Sequence, residues 1–105
     1  MARNPETNLQ LRIMVALSHI CVLVRVPAGM FWAGPDRDVP VKVAMPGHPD
    51  LAGYRRSDGK AVYIEVKTRR GKVTKEQEQF LAQARQAGCL AGIARSIKEA
   101  EEIVK

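Results

Sequence analysis

The sequence predicts an α/β domain, a mixed β-sheet whose central antiparallel hairpin is flanked by helices. Three observations carry this. Residues 61–67 alternate, with Val62, Ile64 and Val66 on one side and Tyr63, Glu65 and Lys67 on the other, the period of a strand with one buried face. Leu9, Ile13, Leu17 and Ile20, joined by Met14 and Ala16, recur at helical spacing near the start of the chain. Thr74 with Gln77 and Ser96 with Glu99 have capping-box spacing on either side of the apolar run 89–94, which predicts helix, buried strand and closing helix in that order.

Taken in order, the chain opens with Asn4 as a helix cap and Pro5 at the first helical position. Glu6 falls one turn before Leu9 and Gln10, close to the line of the apolar stripe. An acid there either complements the positive helix end or reaches a site. His19, near the helix end, reads as a capping or solvated residue. Residues 21–26 form a mostly apolar strand interrupted by Arg25, which is either a snorkelling edge residue or a phosphate contact. Pro27 and Gly29 turn the chain, and residues 30–33 add a second strand, with Trp32 read as packing rather than base stacking. From 34 to 49, four prolines with Asp36, Arg37 and Asp38 predict a largely irregular loop with a short edge strand inside 39–44. A loop of that length suits a substrate clamp or a contact with a second subunit. Residues 50–56 then reverse at Ser57-Asp58-Gly59-Lys60, because Asp-Gly suits the positive dihedrals of a two-residue hairpin turn. The second helix runs from the Thr74 cap to about residue 87, where Gly88 ends it.

At 105 residues the chain is long enough for one domain with a single modest core. It has no apolar run long enough to cross a bilayer and no secretory signal pattern at its start, so cytoplasmic residence is the default expectation. Cys21 and Cys89 sit in apolar runs and read as buried free thiols rather than as a disulfide or metal pair. The formal charge is +6, and its distribution says more than its total. Arg55, Arg56, Lys60, Lys67, Arg69, Arg70, Lys72 and Lys75 are eight of the 17 basic residues, gathered in one fifth of the chain. That concentration predicts a polyanionic partner lying across this segment.

The same segment places two carboxylates and a lysine on one face. With Asp58 and Gly59 as the turn residues, Ser57 faces Lys60, Ala52 faces Glu65 and Asp50 faces Lys67. Opposed residues project to the same side of a sheet, so Asp50, Glu65 and Lys67 converge. A three-residue loop would break this register. Adjacent carboxylates repel, and a bound divalent cation removes the conflict. Hard oxygen ligands such as Asp50 and Glu65 suit magnesium or manganese. Such an ion lowers the pKa of bound water and offsets charge developing in phosphodiester hydrolysis, while Lys67 orients the water or stabilises the phosphate. The competing reading makes Glu65 and Lys67 ordinary solvent-facing strand residues; Asp50 on the same face and the basic surroundings weigh against it. Arg55, Arg69, Arg70 and Lys72 are the candidates for gripping a phosphate backbone. His48, beside Asp50, either assists proton transfer or phosphate binding or is a loop histidine without a chemical part.

Gly47-His48-Pro49-Asp50-Leu51, Ile64-Glu65-Val66-Lys67 and Thr74-Lys75-Glu76-Gln77, in this order, resemble the motif series of the virus-type replication-repair nuclease (VRR-NUC) domain of the PD-(D/E)xK nuclease superfamily. The resemblance covers nearly the whole chain. It implies a restriction-endonuclease-like core, Asp50 and Glu65 as metal ligands with the Val66 carbonyl as a further one, Lys67 as the catalytic lysine and Gln77 as a supporting active-site residue. It also implies a site role for Glu6 on the first helix and favours Arg25 as a phosphate contact. The implied activity is that of a magnesium- or manganese-dependent endonuclease acting on branched or otherwise structured DNA, such as a Holliday junction. A homodimer is implied too, since resolvase-like cutting needs two sites related by symmetry. A non-catalytic nucleic-acid-binding module of the same fold is the alternative, but a pure binder has no use for paired acids that repel phosphate. A restriction-type enzyme reading base sequence is a third reading, for which so short a chain leaves little room.

Overall fold

Two central strands, β4 (Leu51–Arg55) and β5 (Ala61–Val66), organise the molecule. They pair antiparallel, β1 (Cys21–Arg25) lies antiparallel on the outer side of β4, and β6 (Leu90–Ala94) runs parallel to β5. The sheet order is therefore β1-β4-β5-β6, a mixed sheet with the antiparallel hairpin at its centre. A computed structural model of the chain describes residues 4–26, 30–42 and 46–105. In it α1 (Pro5–Leu17) precedes β1, α2 (Lys75–Gln86) connects β5 to β6, and α3 (Ile97–Val104) closes the chain. Among the described residues no helix is long and apolar enough to cross a membrane.

Alternation along β5 decides which helix covers which face. Val62, Ile64 and Val66 are fully buried, in one core with Ile13 and Leu17 of α1, Leu51 of β4 and Ala100 and Val104 of α3. Each such side chain contributes roughly 1.5–3 kcal/mol on leaving water, so this face fixes the position of the sheet on its helices. On the opposite face Leu81 and Ala84 of α2 pack with Ala91, Tyr63, Phe80 and Ile93. Glu65 and Lys67 share that second face. Cys21 lies in the first core and Cys89 against the second, and both thiols are free.

The helices begin where their caps predict. Asn4 Oδ1 accepts from the Glu6 N–H at 2.8 Å, and Pro5 occupies the first turn. The Thr74 and Gln77 side chains each accept from the other's backbone N–H, at 3.1 and 2.9 Å. At α3 the Ser96 hydroxyl accepts from Glu99 N–H at 3.1 Å, but Glu99 bonds the N–H of Arg95 instead of that of Ser96.

The strands expected at 30–33 and within 39–44 are present as β2 (Met30–Ala33) and β3 (Val39–Lys42), but they stand apart from the mixed sheet as a separate two-stranded antiparallel sheet, with Gly34 at a φ of 95° in the turn between them. Pro40 is accommodated there because a two-stranded ribbon is all edge. Residues 43 and 44 of the edge strand expected within 39–44 lie outside the described residues, as do Pro27 and Gly29. The hairpin turn also differs. Arg55 N–H donates to the Lys60 carbonyl and Gly59 N–H to the Arg55 carbonyl, both at 2.8 Å, so the loop is the four residues 56–59. Only Gly59 takes a positive φ, 75°, whereas a two-residue turn of the expected type requires two such residues. Asp58 instead turns its carboxylate back onto Arg55 and the Lys60 N–H.

Candidate active site

The four-residue loop moves the β4–β5 register by two positions, pairing Leu51 with Ile64 and Ala52 with Tyr63. A shift of two preserves the face of every side chain, because the pleat has a period of two. Extending the ladder one step sets Asp50 beside Glu65, rather than opposite Lys67. Asp50 Oδ2 accepts from the Val66 N–H at 3.0 Å, and the Asp50 carbonyl accepts from Val26 N–H at 2.8 Å. Asp50 is thus fixed from both neighbouring strands. The N–H and C=O of one strand residue point to the same edge, which turns the Val66 carbonyl towards Asp50 as well.

Glu65 is 2% exposed. Its Oε2 accepts from Gln77 Nε2 at 3.0 Å and lies 3.4 Å from Lys67 Nζ. Its Oε1 is buried without any hydrogen-bond partner. Burial raises its pKa first and the neighbouring Asp50 charge second; the Lys67 ammonium opposes both, and the result is a carboxyl pushed up to about 7. A buried carboxylate oxygen without a donor, next to a second carboxylate, could hold a hard cation. Among the described residues no third carboxylate, histidine or cysteine joins them.

Gln77 does two things at once. Its carbonyl oxygen completes the α2 cap through Thr74 N–H, and its amide N–H₂ is thereby left pointing at Glu65. Gly47 brings α2 this close: its φ is 80°, and a Cβ there would strike the Glu76 carbonyl and stand 3.0 Å from Gln77 N. His48 packs edge-on against Tyr63, centroids 6.0 Å apart, and tilted against Phe80 at 5.1 Å, with Nδ1 2.8 Å from the Pro49 carbonyl. It wedges the Asp50 approach against β5 and α2.

The remaining candidates divide. Arg69, Arg70 and Lys72 are exposed on the segment just after Lys67. Thr68, Arg69 and Arg70 line an open cleft of about 490 Å³ with Asn4, Pro5 and Glu6. Glu6 therefore stands at the basic segment, not in a three-residue cluster with Asp50 and Glu65. Arg25 pairs with Leu51, which puts it on the α1 side of the sheet, where its Nε donates to Gln10 Oε1 at 3.0 Å. Arg55 is not brought to the site: it lies at the far end of β4, its fork paired with Asp58 and its Nη1 donating to the Val104 and Lys105 carbonyls at 3.1 Å. Arg95, which sequence reasoning missed, donates from Nη1 to the carbonyls of Thr68 at 2.7 Å and Gly71 at 2.8 Å. No local pattern reveals such a contact, because its partners are 24–27 residues away.

A family model described as the VRR-NUC domain matches residues 37–98, which include Asp50, Glu65, Lys67 and Gln77. The chain belongs to the VRR-NUC family. No curated protein matches it. Membership makes this a nuclease-type domain, for which interaction with DNA follows, and the mixed four-stranded sheet flanked by helices is compatible with a restriction-endonuclease-like fold. The VRR-NUC match leaves Glu6 and Arg25 outside its limits.

Proposed function

We propose that this VRR-NUC domain is a metal-dependent endodeoxyribonuclease that hydrolyses phosphodiesters in branched DNA, including Holliday-junction-like substrates. The observation that carries the reading is the buried, donorless Oε1 of Glu65 beside the Asp50 carboxylate. Asp50, Glu65 and the Val66 carbonyl would hold magnesium or manganese, all hard oxygen donors. The ion supplies water activation and neutralises charge on the scissile phosphate.

The protein's own groups do the rest. Lys67, 3.4 Å from Glu65, stabilises negative charge on the phosphate or orients the attacking water. Gln77 holds the Glu65 carboxylate through an Nε2 bond to Oε2, which leaves Oε1 without a protein donor. Arg69, Arg70 and Lys72 bind the backbone on the flank that follows Lys67, where Glu6 lines the same cleft as Arg69 and Arg70. Two copies related by a two-fold axis would present two such sites to a junction, which is the argument for a homodimer.

The deciding experiment is a cleavage panel of flaps, forks, four-way junctions and plain duplexes with either ion, run on the wild-type chain and on Asp50→Ala. Cutting of branched DNA, abolished by Asp50→Ala with binding intact or tightened, is the expected result. A wild-type chain that binds but never cuts is a non-catalytic binding module, and unchanged cutting by Asp50→Ala removes the site.

A further inference from the structure

Arg95 stands at the end of β6, exposed, yet it is tied to a segment far away in sequence. Its Nη1 donates to the Thr68 carbonyl at 2.7 Å and the Gly71 carbonyl at 2.8 Å, with the Arg69 carbonyl at 3.5 Å. The Thr68 carbonyl also accepts from Gly71 N–H at 3.0 Å, so residues 68–71 close as a turn around the guanidinium. Arg95 itself is anchored, its N–H donating to Glu99 Oε1 at 2.7 Å at the start of α3.

The turn presses on Lys67. A Cβ added at Gly71 would sit 3.3 Å from Lys67 Cδ and 3.5 Å from its Cβ, so the backbone of the turn lies along the lysine stem. The Lys67 N–H is held at 3.1 Å by the carbonyl of Ala94, the residue before Arg95. One short stretch thus fixes Lys67 from its backbone and from its side chain. The same turn carries Arg69 and Arg70, which line the cleft beside α1. The contacts all come from Nη1, whose two N–H bonds are fixed in the guanidinium plane, so the Thr68 and Gly71 carbonyls are met at a set angle that an ammonium on a flexible stem holds less rigidly.

We propose that Arg95 is a positioning residue for phosphodiester cleavage: by gathering the 68–71 carbonyls it holds Lys67 against Glu65 and presents Arg69 and Arg70 together to the DNA backbone. The role assigned to Lys67 rests on the nuclease reading above; the brace itself does not.

The test compares Arg95→Ala, Arg95→Lys and the charge control Lys98→Ala. Cleavage rates are measured at saturating junction DNA, and the salt dependence of binding in an Asp50→Ala background. Arg95→Ala should cut about 10²-fold more slowly at saturation, the scale of a misplaced group. Its log K against log salt slope should fall by about two, at roughly 0.9 per phosphate contact for Arg69 and Arg70. Arg95→Lys, which keeps a donor, should recover part of the rate. Amide exchange at Gly71 should quicken in Arg95→Ala while the melting temperature shows the domain folded. An Arg95→Ala protein that matches Lys98→Ala in rate, slope and Gly71 exchange overturns the proposal. If Arg95→Ala does not fold, Arg95→Gln takes its place under the same criteria. A wild-type chain that cuts nothing refutes the nuclease reading instead, and the slope and Gly71 exchange then decide the brace.

Discussion

Glu65 carries a carboxylate into a place where charge is costly, and its pH behaviour follows. Its folded pKa, about 7, lies above the ordinary carboxylate value of 4.5. The folded state therefore binds the extra proton between those values. In ion-free protein the stability this provides is full below about pH 4.5 and is lost as pH rises towards 7. Glu65→Gln removes the titrating group: its melting temperature in chelator should exceed that of wild type at pH 8, with the gap closing towards pH 5. A gap independent of pH would show that Glu65 does not titrate as its surroundings dictate. The same substitution should abolish cleavage, so stability and activity move in opposite directions. Gly47 is the second residue whose role is local. Gly47→Ala introduces strain at a φ of 80° and a Cβ against the α2 backbone. It should cost more than about 1 kcal/mol in denaturant unfolding and lower the cleavage rate by displacing Gln77 from Glu65.

At the scale of elements, the first turn of α2 links stability to chemistry. Thr74→Ala removes the hydroxyl that accepts from Gln77 N–H, a loss of about 1 kcal/mol for a helix cap. Its cleavage rate should drop further than Ser96→Ala, the equivalent loss at α3, because only the α2 cap carries a Glu65 donor. Equal rates for the two variants would separate capping from catalysis. The sheet core has a plainer consequence. Ile64 is fully buried between Glu65 and Tyr63 on the opposite face, and Ile64→Ala should destabilise the domain by roughly 2–5 kcal/mol.

For the whole molecule, the basic residues do not form one grip. Arg69, Arg70 and Lys72 are exposed on the flank that follows Lys67, whereas the Arg55 fork is spent on Asp58 and on the Val104 and Lys105 carbonyls. Arg69→Ala should weaken DNA binding and lower the salt slope by about one. Arg55→Ala should leave the slope unchanged and lower the melting temperature, since it releases the end of α3. If both variants bind alike across salt, the charge acts as a diffuse field and not through positioned contacts.

The alternation of residues 61–67 and the caps at Asn4, Thr74 and Ser96 are local patterns, and they determined the strands, the helices and the face shared by Asp50, Glu65 and Lys67. That face survived an incorrect turn because a two-position slip leaves the parity of a pleat intact. Tertiary structure alone decided the pairing of Asp50 with Glu65, the bond from Gln77 to the Glu65 carboxylate, the diversion of Arg55 and the hold of Arg95 on residues 68–71. Each of these is a contact between groups distant along the chain, set by how the hairpin loop closes and how the helices seat on the two faces of the sheet, and neither is written in any one stretch of residues.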